Sequence, residues 1–429
     1  MILKSYGMTW LSLAMSCLFL HAHAGTFELD TKEELPVIQV DHDDVLEGNA
    51  TLSLREVLES AYNRNPEQKL LQALDIEAQA SYTRARSMLP AAPAIALRMV
   101  NDSFSSGRGE REWEAGVDLP IWLPGQRAAR QAVANSSHDG VAASREGFMM
   151  QLAGLVRDTI WDIAMQENAL KLAQYRLDNA RAIQQDVEAR FRAGELPRTD
   201  TMLAEDETLK SEAARVRADA EVKHARHRYT LLTGLETLPA RPTENLASIQ
   251  ELQDHHPLLK AARTKLALAE DEVHLANIEK RENPQVNLGT RTIRGGFDTQ
   301  FNGALSLSVR IPLDAEVRSA PMLAAANSNF ARAAADLERL RLTMETMLHE
   351  SMHNLEVTRD ELEIATRQRE IARENLRLAR KAFQLGESDL VGLMRVQALA
   401  TDAERAFQSR QIQMKWDIAK FNQAVGVLP

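Results

Sequence analysis

The chain has 429 residues, 5% of them aromatic and 26% charged, with a formal net charge of −10. That length allows two or three domains, and so few aromatic residues, with modest glycine and proline, favour long helices over a compact mixed core. The acidic balance excludes a duplex-binding protein, which needs a positive footprint to displace counterions, so no nucleic acid is expected as a partner.

In chain order, residues 1–24 read as a secretory signal peptide. Lys4 is the only charge, an apolar run follows from Trp10 to Leu20, and Ala22, His23 and Ala24 offer a cleavage site. The run is too short to span a bilayer permanently. Cys17, the single cysteine, falls inside it. Ala14, Met15 and Ser16 ahead of it leave a lipidated cysteine open, whereas the apolar Leu18, Phe19 and Leu20 behind it read as a continuing signal. No disulfide is expected in the exported chain. No later stretch has the apolar length of a membrane helix, so such a chain is soluble or enters a membrane as β-strands. Residues 25–50, with Asp41, His42, Asp43 and Asp44, lack periodicity and read as an acidic N-terminal lead-in, extended or disordered.

The remainder repeats itself once. Leu119, Pro120 and Ile121 recur as Ile311, Pro312 and Leu313; Phe191, Gly194 and Glu195 recur as Phe383, Gly386 and Glu387; Met202 recurs as Met394 and Gly234 as Gly426, each 192 positions on. Upstream the offset is 191, for Pro66 with Pro257, Pro93 with Pro284 and Leu97 with Leu288. The slip therefore lies between Leu97 and Leu119. The repeats run over 51–237 and 244–429, joined through Pro239 and Pro242, which a helix would not accept.

Each repeat opens with helices: Leu54, Val57, Leu58 and Ala61 share one face, and a second helix starts near Pro66 and ends near Ser87. The period then changes to two. Trp113, Ala115, Val117 and Leu119 alternate with polar residues and glycine, as do Phe301, Leu305, Leu307, Val309 and Ile311. Strands are expected at about 93–101 and 112–120, and again at 284–293 and 301–311. Each is about the length that crosses a membrane when tilted; a small soluble sheet with one wet face fits the same alternation. Long helical hairpins follow, at about 124–233 and 316–425, turning at Gly194 and Gly386, where glycine suits a left-handed cap. Arms of 65–70 residues reach about 100 Å at ~1.5 Å per residue. Such arms cannot bury themselves, and four strands cannot close a barrel, so both features require further copies; a three-fold ring supplies twelve strands.

His349, Glu350 and His353 match the H-E-x-x-H pattern of zinc proteases. They lie on a long arm without an evident third ligand, and surface histidines are the plainer reading, as for His224 with His227 and His255 with His256. Met149, Met150, Met344 and Met347 read as packing residues. No phosphate loop, nucleophile elbow or singled-out carboxylate set is present. The expectation is no enzyme, with no catalytic, cofactor-binding or resident metal site and no cofactor.

Over residues 51–429 this ordered set, present twice, resembles the TolC-type outer-membrane efflux family. The resemblance rests on Asn65 and Pro66, on Pro93 and Pro284 ahead of strands, on Phe-x-x-Gly-Glu at both turns, and on Leu231, Leu232 and Gly234 echoed by Ala424, Val425 and Gly426. The run Leu119 to Arg127 is similar to the cobalt-zinc-cadmium resistance branch, which would make heavy-metal cations the cargo. The family implies a mainly α fold with a β-barrel part: a homotrimer with a twelve-strand barrel in outer-membrane lipid and a periplasmic α-barrel. It also implies a passive duct working with a periplasmic adaptor (a membrane fusion protein) and an inner-membrane pump of the resistance-nodulation-division type. Gly194, Glu195, Gly386 and Glu387 would then be the adaptor-docking tips. The family often closes its inner end with acidic residues six and nine positions after the second tip glycine. Here Gly392 and Arg395 stand there, a departure that leaves Asp200, Asp389, Gly392 and Arg395 as the expected constriction. An alternative reading is a periplasmic coiled-coil adaptor or structural tether, although an adaptor usually has one helical hairpin rather than two whole repeats.

Overall fold

A computed structural model of the chain describes residues 46–313 and 316–429. The expected signal peptide, Cys17 and the lead-in as far as residue 45 lie outside the described residues. The end of the lead-in is a short strand, β1 (Glu47–Asn49), which pairs in parallel with β4 (Thr237–Pro239) in the connector between repeats. Pro239 is tolerated because both strands of a two-stranded ribbon are edges.

The first repeat continues with α1 (Leu54–Arg64) and α2 (Glu67–Arg86). Ser53 and Glu56 form a reciprocal capping box at the start of α1. That end fixed, Val57, Leu58 and Ala61 face a core with Leu152, Val156, Ile160, Ile163 and Tyr229. Next come β2 (Ala94–Asn101), β3 (Arg111–Pro120), the 67-residue α3 (Gln126–Arg192) and α4 (Arg198–Thr233). The second repeat has α5 (Pro257–Ile278), β5 (Gln285–Arg294), β6 (Asn302–Arg310), the 69-residue α6 (Glu316–Gln384) and α7 (Leu390–Ala424).

The four longer strands make one antiparallel sheet in the order β2-β3-β5-β6. The β3–β5 seam joins the repeats, with Gly116 opposite Gly289. Nothing larger than glycine fits at 289, because a Cβ there would lie 2.4 Å from the Ala115 carbonyl oxygen. The pair Leu97 with Ala115 becomes Leu288 with Leu307 in the second repeat, and Asn101 with Arg111 becomes Thr292 with Gly303. The extra residue of the second repeat therefore sits within 293–302, around the turn.

The helices pack side by side. α3 contacts α4 below and α2 above, and meets α5 and α7 of the second repeat; α6 packs on α5 and α7. The lower wall thus runs α4-α3-α7-α6, leaving α4 and α6 at its flanks.

Candidate functional site

The sheet has two unlike faces. On one, Ile95, Leu97 and Met99 of β2 adjoin Val117, Ala115 and Trp113 of β3, then Leu288 and Thr290 of β5 and Leu307 and Leu305 of β6. The large apolar residues of this face are exposed: Leu97 is 78% and Leu305 86% accessible. The other face is polar. Arg291 Nε lies 2.7 Å from Glu112 Oε1, and Asn287 Nδ2 donates to Asp118 Oδ1 at 2.9 Å. A sheet that exposes its apolar side and turns paired charges to the opposite side has the inverse of a soluble core, and matches a barrel wall with lipid outside and water within. Strands of ten residues, at ~3.4 Å per residue and a tilt of about 40°, span about 25 Å. Trp113 is exposed near the turn end of β3, and Trp122, just past its other end, donates through Nε1 to the Met88 carbonyl at 3.1 Å. Indoles at both rims suit the two membrane–water interfaces. Among the described residues no helix is long and apolar enough to cross a membrane.

Met150 on α3 is 0% accessible and its counterpart Leu342 on α6 is 56%; Leu172 is 7% and its counterpart Ile364 is 58%. Arg157, Ile160 and Trp161 are buried, whereas His349, Met352 and His353 are exposed. The face that α3 covers with α5 and α7 is bare on α6. An exposed apolar stripe marks it at strict seven-residue spacing: Val357, Ile364, Ile371, Leu378 and Leu385. The other flank, α4, carries Met202, Leu209 and Val216 at the same spacing. A seven-residue period is the signature of knobs-into-holes packing against another helix.

Both hairpins turn in the same way. Gly194 has φ 78° and Gly386 φ 77°. Glu195 N donates to the Arg190 carbonyl and Gly194 N to Phe191, as Glu387 N does to Ala382 and Gly386 N to Phe383. This is the paired 6→1 and 5→2 bonding of a Schellman cap. The two tips share a core of Val187, Ala204, Phe383, Leu390 and Leu393, and the Arg190 guanidinium stacks 4.9 Å from the Phe383 ring.

The residues expected at the constriction lie just beyond these tips, with differing local roles. Asp389 caps α7, its Oδ1 accepting from Gly392 N at 2.8 Å. Asp200 is in the first turn of α4, where a carboxylate favours the helix dipole. Arg395 is exposed and borders a groove between α3, α4 and α7 with Arg176 and Glu207. His349 and His353 are exposed on α6, and Met347 is half exposed while Met344 is buried. Among the described residues of one chain, no three His, Cys, Asp or Glu side chains gather to hold a metal. Sequence reading missed the rim pairing of Trp113 with Trp122 and the bare heptad of α6; both become legible once the repeats are aligned and their burial compared.

Residues 248–427 match the family described as outer membrane efflux protein. The cobalt-zinc-cadmium resistance protein CzcC of Cupriavidus metallidurans is 26% identical over 228 residues, 50% of this chain and 52% of the relative. The chain thus matches about half the length of that curated relative. Among solved structures, the outer membrane protein VceC of Vibrio cholerae superimposes with a TM-score of 0.70 at 15% identity, over 88% of this chain and 97% of VceC. The CmeC outer membrane channel of Campylobacter jejuni gives 0.68 at 14% identity, over 87% and 85%. The second half thus resembles the outer membrane efflux protein family, and the first half repeats it within a fold shared with VceC and CmeC.

Proposed function

We propose that the chain is one third of a homotrimeric export duct that serves a periplasmic adaptor and an inner-membrane pump and performs no catalysis of its own. The observation that carries this reading is the sheet: four strands with an exposed apolar face, a paired polar face and two unpaired edges, β2 and β6. Open edges do not persist in a bilayer, and three such sheets make the twelve strands of a closed barrel. The bare heptads of α4 and α6 support closure with further copies, since each flank lacks the neighbour that the other could supply. Energy for export would come from the pump, as no nucleotide-binding motif is present in the sequence.

The likeness to CzcC supports heavy-metal cations as the cargo. The Schellman tips at Gly194, Glu195, Gly386 and Glu387 are the proposed adaptor-docking points, and Asp200, Asp389, Gly392 and Arg395 the proposed constriction. The purified protein should co-sediment with outer membrane, run as an oligomer that resists SDS, and conduct ions in a planar bilayer. A water-soluble monomer that keeps its full helix content without detergent would overturn the duct. Conductance unchanged by Asp200→Asn, Asp389→Asn and Arg395→Gln together would remove the constriction alone.

A further inference from the structure

The bare face of α6 carries chemistry that its repeat counterpart lacks. Where α3 meets α7, Trp416 Nε1 donates to Asp158 Oδ1 at 2.9 Å. Beside it Arg157 is buried with Glu244 at 2.6 Å, Trp161 is buried, and Ala419 on α7 is fully buried. Advancing the α3 positions by 192 turns Arg157, Asp158 and Trp161 into His349, Glu350 and His353 on α6. Moving the α7 positions back by 192 turns Trp416 and Ala419 into His224 and His227 on α4. All five replacements are exposed in the single chain. Each is an imidazole or a carboxylate, set where indoles, a methyl group and a buried ion pair close the junction within the chain.

We propose that α6 of one subunit and α4 of the next together bind a divalent transition-metal cation. Glu350 and His353 are the donors on one side, and His224 and His227 of the partner subunit on the other. The proposal rests on the closed homo-oligomer above, with neighbouring copies repeating the α3–α7 packing. Glu350 with His353, and His224 with His227, are each three residues apart on a helix, so each pair shares a face. Two donors from each helix make the four that a tetrahedral zinc-type site takes, and His349, one turn before His353, is a further donor on the same face. Imidazole with carboxylate suits zinc and its neighbours, whereas calcium and magnesium prefer all-oxygen sets. Each flank of the chain carries only half of the set, which agrees with the lack of a three-residue cluster among the described residues. A trimer would hold three such sites in a ring, each one tying two subunits together.

The test uses tag-free full-length protein in detergent, stripped with EDTA and titrated with zinc chloride under calorimetry, with bound metal counted by mass spectrometry. One zinc per chain is expected. His353→Ala and His227→Ala should each weaken binding at least about tenfold, the loss that even an outer partner of a metal ligand causes. Both side chains are exposed, so helix content should hold. Zero uptake, or affinity unchanged in both variants, would overturn the site. The junction is checked separately by Glu350→Cys with His224→Cys, treated with a short bismaleimide. A chain-to-chain ladder on a denaturing gel supports the oligomer, and a ladder without zinc uptake overturns the metal site alone. No ladder overturns the packing on which the site depends.

Discussion

Arg157 shows how a single side chain holds the junction between the two repeats, and His256 how one ties the start of α5 to the end of the chain within the second repeat. The Arg157 guanidinium grips both Glu244 oxygens, at 2.8 and 2.6 Å, and also donates to Gln423 Oε1 and the Val427 carbonyl. Removing one partner of such a buried pair strands the other charge, at a cost of about 3–5 kcal/mol, whereas replacing both by apolar groups is often close to neutral. Arg157→Met should therefore lower the thermal midpoint sharply, and adding Glu244→Met should restore most of it; a double variant no better than the single one would show that the pair does not work in this way. His256 caps α5, its Nδ1 accepting from Leu258 N at 3.2 Å, and a Cβ on Gly426 would lie 2.6 Å from the imidazole Cδ2. Burial pushes the His256 imidazole below its ordinary 6.5. The unfolded chain thus takes up this proton at higher pH than the folded one, so the stability contributed by the neutral ring is complete above about pH 6.5 and is lost as pH falls below it. Wild-type protein should lose more of its melting temperature between about pH 7.5 and 5.5 than His256→Asn, in which a neutral amide keeps the cap. Equal losses would exclude His256 as the source.

At the scale of elements, the two Schellman turns make a matched pair whose disruption can be read locally. A residue with a Cβ in the left-handed region costs about 1–2 kcal/mol, so Gly194→Ala and Gly386→Ala should speed hydrogen exchange in the last turns of α3 and α6 while leaving the sheet unchanged. Spreading of the effect into β2–β6 would mean that tips and sheet unfold as one unit. These turns were legible in the sequence because a Phe-x-x-Gly-Glu pattern recurs at one spacing, and the mainly α fold with its strand pairs was legible because hydrophobic period changes from 3.6 to 2 and back. The β3–β5 seam was not. Alternation tells which face a residue takes, but not which distant strand it meets, and Gly116 and Gly289 are brought together by contacts between repeats. Asp389 has a role at the tip that its position alone did not reveal: its Oδ1 caps α7 by accepting from Gly392 N. Asp389→Ala should cost about 1 kcal/mol of local stability, a loss that Asp389→Asn should largely avoid because asparagine caps as well.

On the scale of the whole molecule, the proposed oligomer draws its support from the difference between α3 and α6. Two helices of one ancestry, with matched length and turn, differ in that one has neighbours on both sides and the other has a bare heptad. Fully burying an isoleucine contributes about 1.5–3 kcal/mol, and Ile364 and Ile371 keep 58% and 57% of their surface exposed in the single chain, so covering the rest over three junctions would contribute about 5–10 kcal/mol to a trimer. That is comparable to the whole stability of a typical domain, and it cannot be recovered within one chain because both residues are exposed there. Ile364→Lys with Ile371→Lys should therefore abolish the SDS-resistant oligomer without lowering helix content. Tyr175→Lys is the control, similarly exposed but placed on α3, whose neighbours are already supplied by the same chain; its oligomer should survive. Should the double α6 variant still assemble, closure must run through the sheet edges alone. A charge placed at Leu97 or Leu305 on the apolar face would then move the oligomer more than any change on the helices.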